Sequence, residues 1–177
     1  MTWLKDYRQI DMLHKIKKKF FEWLNKAELV ELNDVDVKKD PVRPELSMDF
    51  RTKYGRKVYG LKDEEGEIAA VMCFAFTNQV PTTVEELDTF SQDAYLQSHF
   101  RSGQVGQIAI AYTVWSTKKG GGRRIVQEVY KMIKKSNHLN RLVTLSPLTD
   151  MARNFHLKNG AKELQVNKET QNFEYEV

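Results

Sequence analysis

Hydrophobic positions change period along this chain, and the changes mark its elements. Ile10, Leu13, Ile16, Phe20, Trp23 and Leu24 recur at three- and four-residue spacing among lysines, which predicts an amphipathic helix over residues 3–28. Residues 29–55 are polar and carry Pro41 and Pro44, so they read as loops and short helical turns, a usual place for segments that cover a substrate. Lys57 to Leu61 and Ile68 to Thr77 predict a hairpin with Glu65-Gly66 in its turn. The second of these strands is apolar nearly throughout, as a strand covered on both faces must be. Pro81 ends it, and Thr82-Thr83-Val84-Glu85-Glu86 offers a capping box for a helix running toward Asp93.

Gln107 to Trp115, rich in β-branched and aromatic residues, is the third strong strand. Residues 120–136 read as a helix opening on three glycines, with Ile125, Val126, Val129, Met132 and Ile133 as its buried face. Lys131, Lys134 and Lys135 complement its C-terminal dipole. A strand over Arg141 to Leu145, a helix over Thr149 to Lys158 and a terminal hairpin of Glu163 to Asn167 with Asn172 to Val177 complete the pattern. Helix, hairpin, then strand, helix, strand, helix and hairpin is an α+β layout.

At 177 residues the chain fits one domain, 1–177, whose first 50 residues form an N-terminal helical part. Its 41% hydrophobic and 29% charged residues are ordinary for a soluble globular protein. The one cysteine, Cys73, lies within the apolar run Ile68 to Phe76, so a disulfide framework is ruled out and the residue reads as a small buried hydrophobe. The N-terminus is charged and no apolar stretch reaches the length of a membrane span. A cytoplasmic protein without a membrane partner is therefore expected. A net charge of +4 points to an anionic partner, and its distribution says more than its size. Lys15, Lys17, Lys18 and Lys19 cluster in the first helix, where solvated lysines on a packed helix explain them better than membrane binding does. Lys118, Lys119, Arg123 and Arg124 instead flank a glycine run.

That run, Thr117-Lys118-Lys119-Gly120-Gly121-Gly122, lies between a strand and a helix. Glycines there let the backbone approach a ligand, and the helix-start amides together with the basic side chains suit a pyrophosphate. Nucleic acid is disfavoured, because no aromatic residue lies nearer the run than Trp115 and Tyr130. Further on, Arg141 to Leu145 ends in Ser146 and turns at Pro147, and the next helix carries His156 one turn before an Asn-Gly stop. Both side chains thus come to one end of a sheet, where crevices form. Ser146 has no Gly-x-Ser-x-Gly elbow that would mark a nucleophile, and Pro147 and Asp150 would also fit it as a helix N-cap. His14, His99 and His138 lack ligand spacing, so no metal is expected, and Trp3, Trp23 and Trp115 read as packing aromatics.

Leu145-Ser146-Pro147-Leu148 and Asn154-Phe155-His156-Leu157-Lys158-Asn159-Gly160-Ala161 resemble the serine and histidine motifs of the catalytic domain of malonyl-CoA decarboxylase, which has the acyl-CoA N-acyltransferase (GNAT-like) fold. Arg56-Lys57-Val58-Tyr59 before Ile68 to Thr77, then AYTVWSTKKG, resembles the same domain's order of strands and turns, so the likeness covers roughly residues 50–177. The long N-terminal helical domain of those decarboxylases has no counterpart in this sequence, and their acidic, proline-rich linker is replaced by Lys62-Asp63-Glu64-Glu65-Gly66. The resemblance implies a mixed, mostly antiparallel central sheet flanked by helices, with coenzyme A bound as acyl-CoA substrate. Thr117, Gly120 and Gly122 would fill the family's pyrophosphate-turn places, the first departing from its usual Gln or Arg, with Lys118, Lys119, Gly121, Arg123 and Arg124 around them.

Backbone amides along Tyr112, Thr113, Val114 and Trp115 would receive an enolate oxygen. Ser146 would orient the substrate carboxylate, and His156 would protonate carbon after CO2 leaves. Acyl transfer to an amine on the same fold is the alternative, though Ile68 to Thr77 supplies no glutamate pair as base. A non-catalytic acyl-CoA or nucleic-acid binding module is the third reading.

Overall fold

The hairpin at the centre of the protein forms where its apolar pattern places it. In the computed structural model, which describes residues 12, 14, 15, 17, 18, 22–100 and 106–177, strands β2 (Lys57–Lys62) and β3 (Ile68–Thr77) pair antiparallel. Asp63 accepts the amides of Glu65 and Glu67 across the turn, where Gly66 adopts φ 86°. Strand β4 (Ile108–Ser116) pairs antiparallel with β3, and β5 (Arg141–Thr144) pairs parallel with the first half of β4. Strand β8 (Thr170–Tyr175) runs along β5 and then along a two-residue strand, β6 (Ser146–Pro147), while β7 (Lys162–Val166) pairs with its other edge. The expected mixed, mostly antiparallel sheet is thus present.

Alternation along β3 divides the core. Ala70, Met72 and Phe74 face one layer with Ala109, Ala111, Leu142 and Phe173, while Val71, Cys73 and Ala75 face the other with Ile110, Tyr112, Val143 and Leu145. Helix α3 (Gly121–Lys134) covers the first layer through Ile125, Val126, Val129 and Ile133, the stripe its periodicity predicts. Helix α2 (Val84–Phe100) covers part of the second. Thr83 caps it by accepting the Glu86 amide, and the Glu86 carboxylate accepts from Thr82. It runs seven residues past Asp93, because its buried stripe of Leu87, Ser91, Ala94 and Ser98 is too small and polar to announce its length.

Two further expectations are corrected or bounded. The polar stretch 29–55 does contain short turns, a 3-10 turn at Val37–Lys39, helix α1 (Met48–Thr52) and a second 3-10 turn at Lys53–Gly55. An edge strand, β1 (Glu28–Glu31), paired with β2, opens it and takes Glu28 from the end of the expected helix; its four residues are too few to show a period. The amphipathic helix over 3–28 lies largely outside the described residues, as do Trp3, Ile10, Leu13, Ile16, Lys19 and Phe20. Residues 22–26 are helical, and Trp23 packs against the core.

Cys73 is fully buried in β3, and burial pushes its thiol up to about 11. A bulky thiol reagent should therefore label the native protein only at the rate of unfolding, rising with denaturant. Stoichiometric labelling within seconds in native buffer would contradict this placement.

Candidate active site

The site arises where two parallel strands separate. β4 and β5 pair from Ile108↔Arg141 to Ala111↔Thr144, and the last bond across them is Leu145 N–H to the Ala111 carbonyl at 2.9 Å. Beyond it, the chain turns to pair β6 with β8, while β4 continues along β3 to Ser116 after a register shift at Cys73/Phe74. Alternate backbone groups of a strand point to opposite edges, so part of the amides from Tyr112 to Ser116 faces an edge without a strand partner. A cavity of about 240 Å³ fills this split. Val114, Pro41, Val42, Met151, Ala152 and Phe155 supply apolar wall, and Ser146 and His156 stand within it.

Ser146 and His156 meet as their placement at the strand end requires. Helix α4 (Asp150–Lys158) starts at Thr149, whose hydroxyl accepts the Ala152 amide at 3.2 Å. Thr149, and not Ser146, is therefore the N-cap, and the Ser146 hydroxyl is free for other work. It lies 2.9 Å from His156 Nε2 and 3.0 Å from Thr144 Oγ1. His156 Nδ1 lies 3.0 Å from the Tyr175 hydroxyl, and the imidazole stacks on Phe173. At the end of α4, Gly160 takes φ 92° and Ala161 N–H returns to the His156 carbonyl, which fixes the last turn carrying the histidine.

Burial pushes His156 down from the usual imidazole value to about 4. The ring is therefore neutral at pH 7, with on the order of one molecule in a thousand protonated. The cause is the packing of Phe173, Phe155 and Tyr175 around the ring, which excludes the water that would solvate an imidazolium. Burial likewise raises the Tyr175 phenol, which stays protonated as a hydrogen-bond donor or acceptor to Nδ1.

The cavity runs into an open groove along the glycine turn, with Ser116, Gly122 and Phe155 lining both. Thr117, Lys118, Lys119, Gly120, Gly122 and Arg123 line this groove, joined by Lys158 from α4, which the sequence did not single out. Gly120, at φ 87°, is the N-cap of α3, a conformation that disfavours any side chain. The amides of Gly122 and Arg123 belong to the first helical turn, which lacks intrahelical acceptors.

Two of the residues expected around the turn do not line this groove. Gly121 does not line the groove: a Cβ there would lie 2.8 Å from Ser116 Oγ and 3.0 Å from the Ala69 carbonyl, so its role is close packing of helix on strand. Arg124 points along α3 to Glu128 at 3.0 Å. Lys118 is held by Asp63 of the β2–β3 turn and lies over the Trp23 ring. Lys119, Arg123 and Lys158 have no ion-pair partner among the described residues, which leaves them as the free cations of the groove.

The side chains of Tyr112, Thr113 and Trp115 are buried in the fold, so along β4 mainly backbone is offered to a ligand. The Thr113 hydroxyl bonds to Asp40, which pairs with Arg51 at 2.9 Å. Arg43 reaches into the split itself, donating from Nε to the Tyr112 carbonyl at 2.9 Å and from a terminal nitrogen to the Leu145 carbonyl at 3.1 Å. On the other side, Gln171 donates to the Pro147 and Thr149 carbonyls and so fixes the turn after Ser146. Asp40, Arg43, Arg51, Thr144, Gln171 and Tyr175 were not singled out by the sequence. Among the described residues no cluster of three or more histidine, cysteine, aspartate or glutamate side chains could hold a metal, and no helix is long and apolar enough to cross a membrane.

No protein-family model matches the chain, and no curated protein matches it in sequence. Solved structures do match in fold. Malonyl-CoA decarboxylase from Agrobacterium vitis superposes with a TM-score of 0.58 at 16% identity, over 77% of this chain and 37% of that one. GphF GNAT-like decarboxylase, solved in complex with isobutyryl-CoA, superposes with a TM-score of 0.63 at 11% identity, over 84% of this chain and 98% of that one. The GNAT domain of S. lividans PAT gives 0.55 at 10% identity, over 85% and 90%. This chain therefore spans little more than a third of the Agrobacterium decarboxylase. It has the acyl-CoA N-acyltransferase (GNAT-like) fold, shared by decarboxylases and acetyltransferases.

Proposed function

We propose that the protein binds an acyl-CoA thioester and releases CO2 from a malonyl-type acyl group, without metal or organic cofactor. The observation that carries this reading is the Ser146–His156 pair, 2.9 Å apart at the head of an apolar cavity that opens into a basic groove. The groove would take the CoA pyrophosphate on Lys119, Arg123, Lys158 and the first amides of α3. Pantetheine would run along the free edge of β4, bringing the thioester into the split.

The chemistry follows from that pose. The C–C bond to the carboxylate breaks, its electron pair moves into the thioester, and CO2 departs. The resulting enolate oxygen accepts from β4 amides facing the split. The Ser146 hydroxyl orients the carboxylate before cleavage. His156 then gives carbon its proton and is reprotonated from solvent, so one proton is consumed for each CO2 released. A carboxylate docked beside Nε2 favours the charged ring and so raises the small imidazolium fraction during the reaction. Acyl transfer to an amine needs a base in the cavity. Its lining residues include no carboxylate, and a histidine held near 4 is a weak one.

Incubating the protein with malonyl-CoA, with and without amines, and resolving products by mass tests this. Acetyl-CoA and CO2 without any amine are expected; an acylated amine with no CO2 would replace this reading with acyl transfer. The groove has its own test. Lys119→Glu with Arg123→Glu should weaken CoA binding roughly tenfold or more at low salt, with the loss shrinking at high salt. Unchanged affinity by calorimetry would move the pyrophosphate elsewhere.

A further inference from the structure

Beneath the cavity lies a group of buried charges that does not balance. Asp40, Arg43 and Arg51 are 1%, 8% and 0% exposed. Arg51 takes the carboxylate of Asp40 and also donates to the Leu46 and Arg43 carbonyls and to Cys73 Sγ. Asp40 is further occupied by the Thr113 hydroxyl and by the amides of Val42 and Arg43. Arg43 is left with two backbone carbonyls and, among the described residues, no carboxylate within ion-pair distance. Cys73 stays a neutral thiol and Tyr112 a neutral phenol, since burial raises both. Two guanidiniums thus face one carboxylate. The remaining acid whose field reaches Arg43, Glu45, is on the surface and screened by water.

An uncompensated buried cation is expensive, and one held against a cleft marks a candidate site for an anionic group. The position of Arg43 says where. Its guanidinium bridges the Tyr112 and Leu145 carbonyls, one on each side of the split, and Leu145 directly precedes Ser146. Pro41 and Val42, on the same strap, form part of the cavity wall. The lining residues carry no acidic or basic side chain apart from the neutral His156, so nothing in the wall opposes this field.

We infer that Arg43 is a specificity-determining residue that selects acyl thioesters whose acyl group carries a carboxylate over neutral acyl groups. The inference rests on the acyl-CoA reading above and names the substrate class for it. Arg43 acts through its charge and not as a clamp, because two of its donors are committed to backbone carbonyls. A bidentate grip would hold the carboxylate in its ground state, whereas a field shared by both sides of the split remains useful as charge moves from carboxylate to thioester oxygen.

Succinyl-CoA and butyryl-CoA have equal chain length and differ by one carboxylate, and neither loses CO2 by this chemistry, so calorimetry reads selectivity without turnover. The parent protein should favour succinyl-CoA. A buried charge several ångströms away, at an effective dielectric of about 20, is expected to change an anion's affinity by on the order of tenfold. Arg43→Gln keeps amide donors for the two carbonyls and should lose that preference, while Arg43→Lys keeps the charge and should retain it. A parent without preference, a folded Arg43→Gln that keeps it, or a folded Arg43→Lys that loses it would each overturn the assignment. Should Arg43→Gln not fold, the parent and the lysine variant still decide. Failure of the decarboxylation assay alone leaves this selectivity standing, and CO2 release without it overturns only the role of Arg43.

Discussion

Replacing His156 with glutamine is expected to slow CO2 release from malonyl-CoA by about 100- to 10,000-fold, the range lost with a general acid. Glutamine retains a hydrogen-bonding group near Ser146 but cannot deliver a proton. CoA affinity should be unchanged, because the groove cations lie on the glycine turn and at the end of α4. Ser146→Ala should cost less, since a hydrogen bond contributes on the order of 1 kcal/mol, or about 3 to a charged acceptor. Unaltered turnover in His156→Gln would remove the histidine from the mechanism.

A second readout needs no activity. The folded protein holds His156 neutral down to about 4, while the unfolded chain binds that proton below about 6.5. Between those values the unfolded state carries more protons, so stability falls as pH falls through this window and levels off below it. The loss attributable to His156, which is 5% exposed, is about 3 kcal/mol in all. Urea unfolding of parent and His156→Gln at several pH values should diverge in slope only within that window. Parallel curves would mean that the ring is not buried as described.

The sequence was most informative where one physical demand set the pattern. Residues of β3 must pack against both layers, so Ile68 to Phe76 is apolar without interruption. Helix α3 covers one layer, and its stripe at Ile125, Val126, Val129 and Ile133 repeats with the helical period. Ser146 and His156 were legible because a strand and the following helix carry them to the same end of the sheet. Long-range polar contacts leave no such periodic trace. Asp40 meets Thr113 across 73 positions and Arg43 meets Leu145 across 102, so the polar stretch 29–55 carries no periodic sign that its charges Asp40, Arg43 and Arg51 are interior. The glycine run is uniform in sequence, and only packing distances separate Gly121, pressed on Ser116 and Ala69, from its neighbours at the groove. Nor could charge counting tell Lys119 and Arg123 from Lys118 and Arg124, whose partners Asp63 and Glu128 lie on the turn between β2 and β3 and on α3 itself.

Arg51→Met is expected to destabilise the protein by about 3–5 kcal/mol, the cost of breaking a buried ion pair from one side. Arg51 donates to two carbonyls, a carboxylate and a thiol from a fully buried position, and its guanidinium lies over the Trp115 ring at 5.7 Å. Methionine fills much of its volume, but the Asp40 carboxylate then stays buried with only the Thr113 hydroxyl and two amides. For a chain of this length that loss lowers the melting temperature by roughly 10 °C. Asp40→Leu with Arg51→Met removes both charges together and should be less damaging than the two single changes added, a coupling that a double-mutant cycle reads directly. The same pair anchors the strap that brings Pro41, Val42 and Arg43 to the cavity. Arg51→Met that still folds at low temperature should therefore bind CoA itself normally and lose discrimination between succinyl-CoA and butyryl-CoA. A stability loss below about 1 kcal/mol would show that water or a rearranged loop satisfies Asp40 and that the strap is not held by this pair.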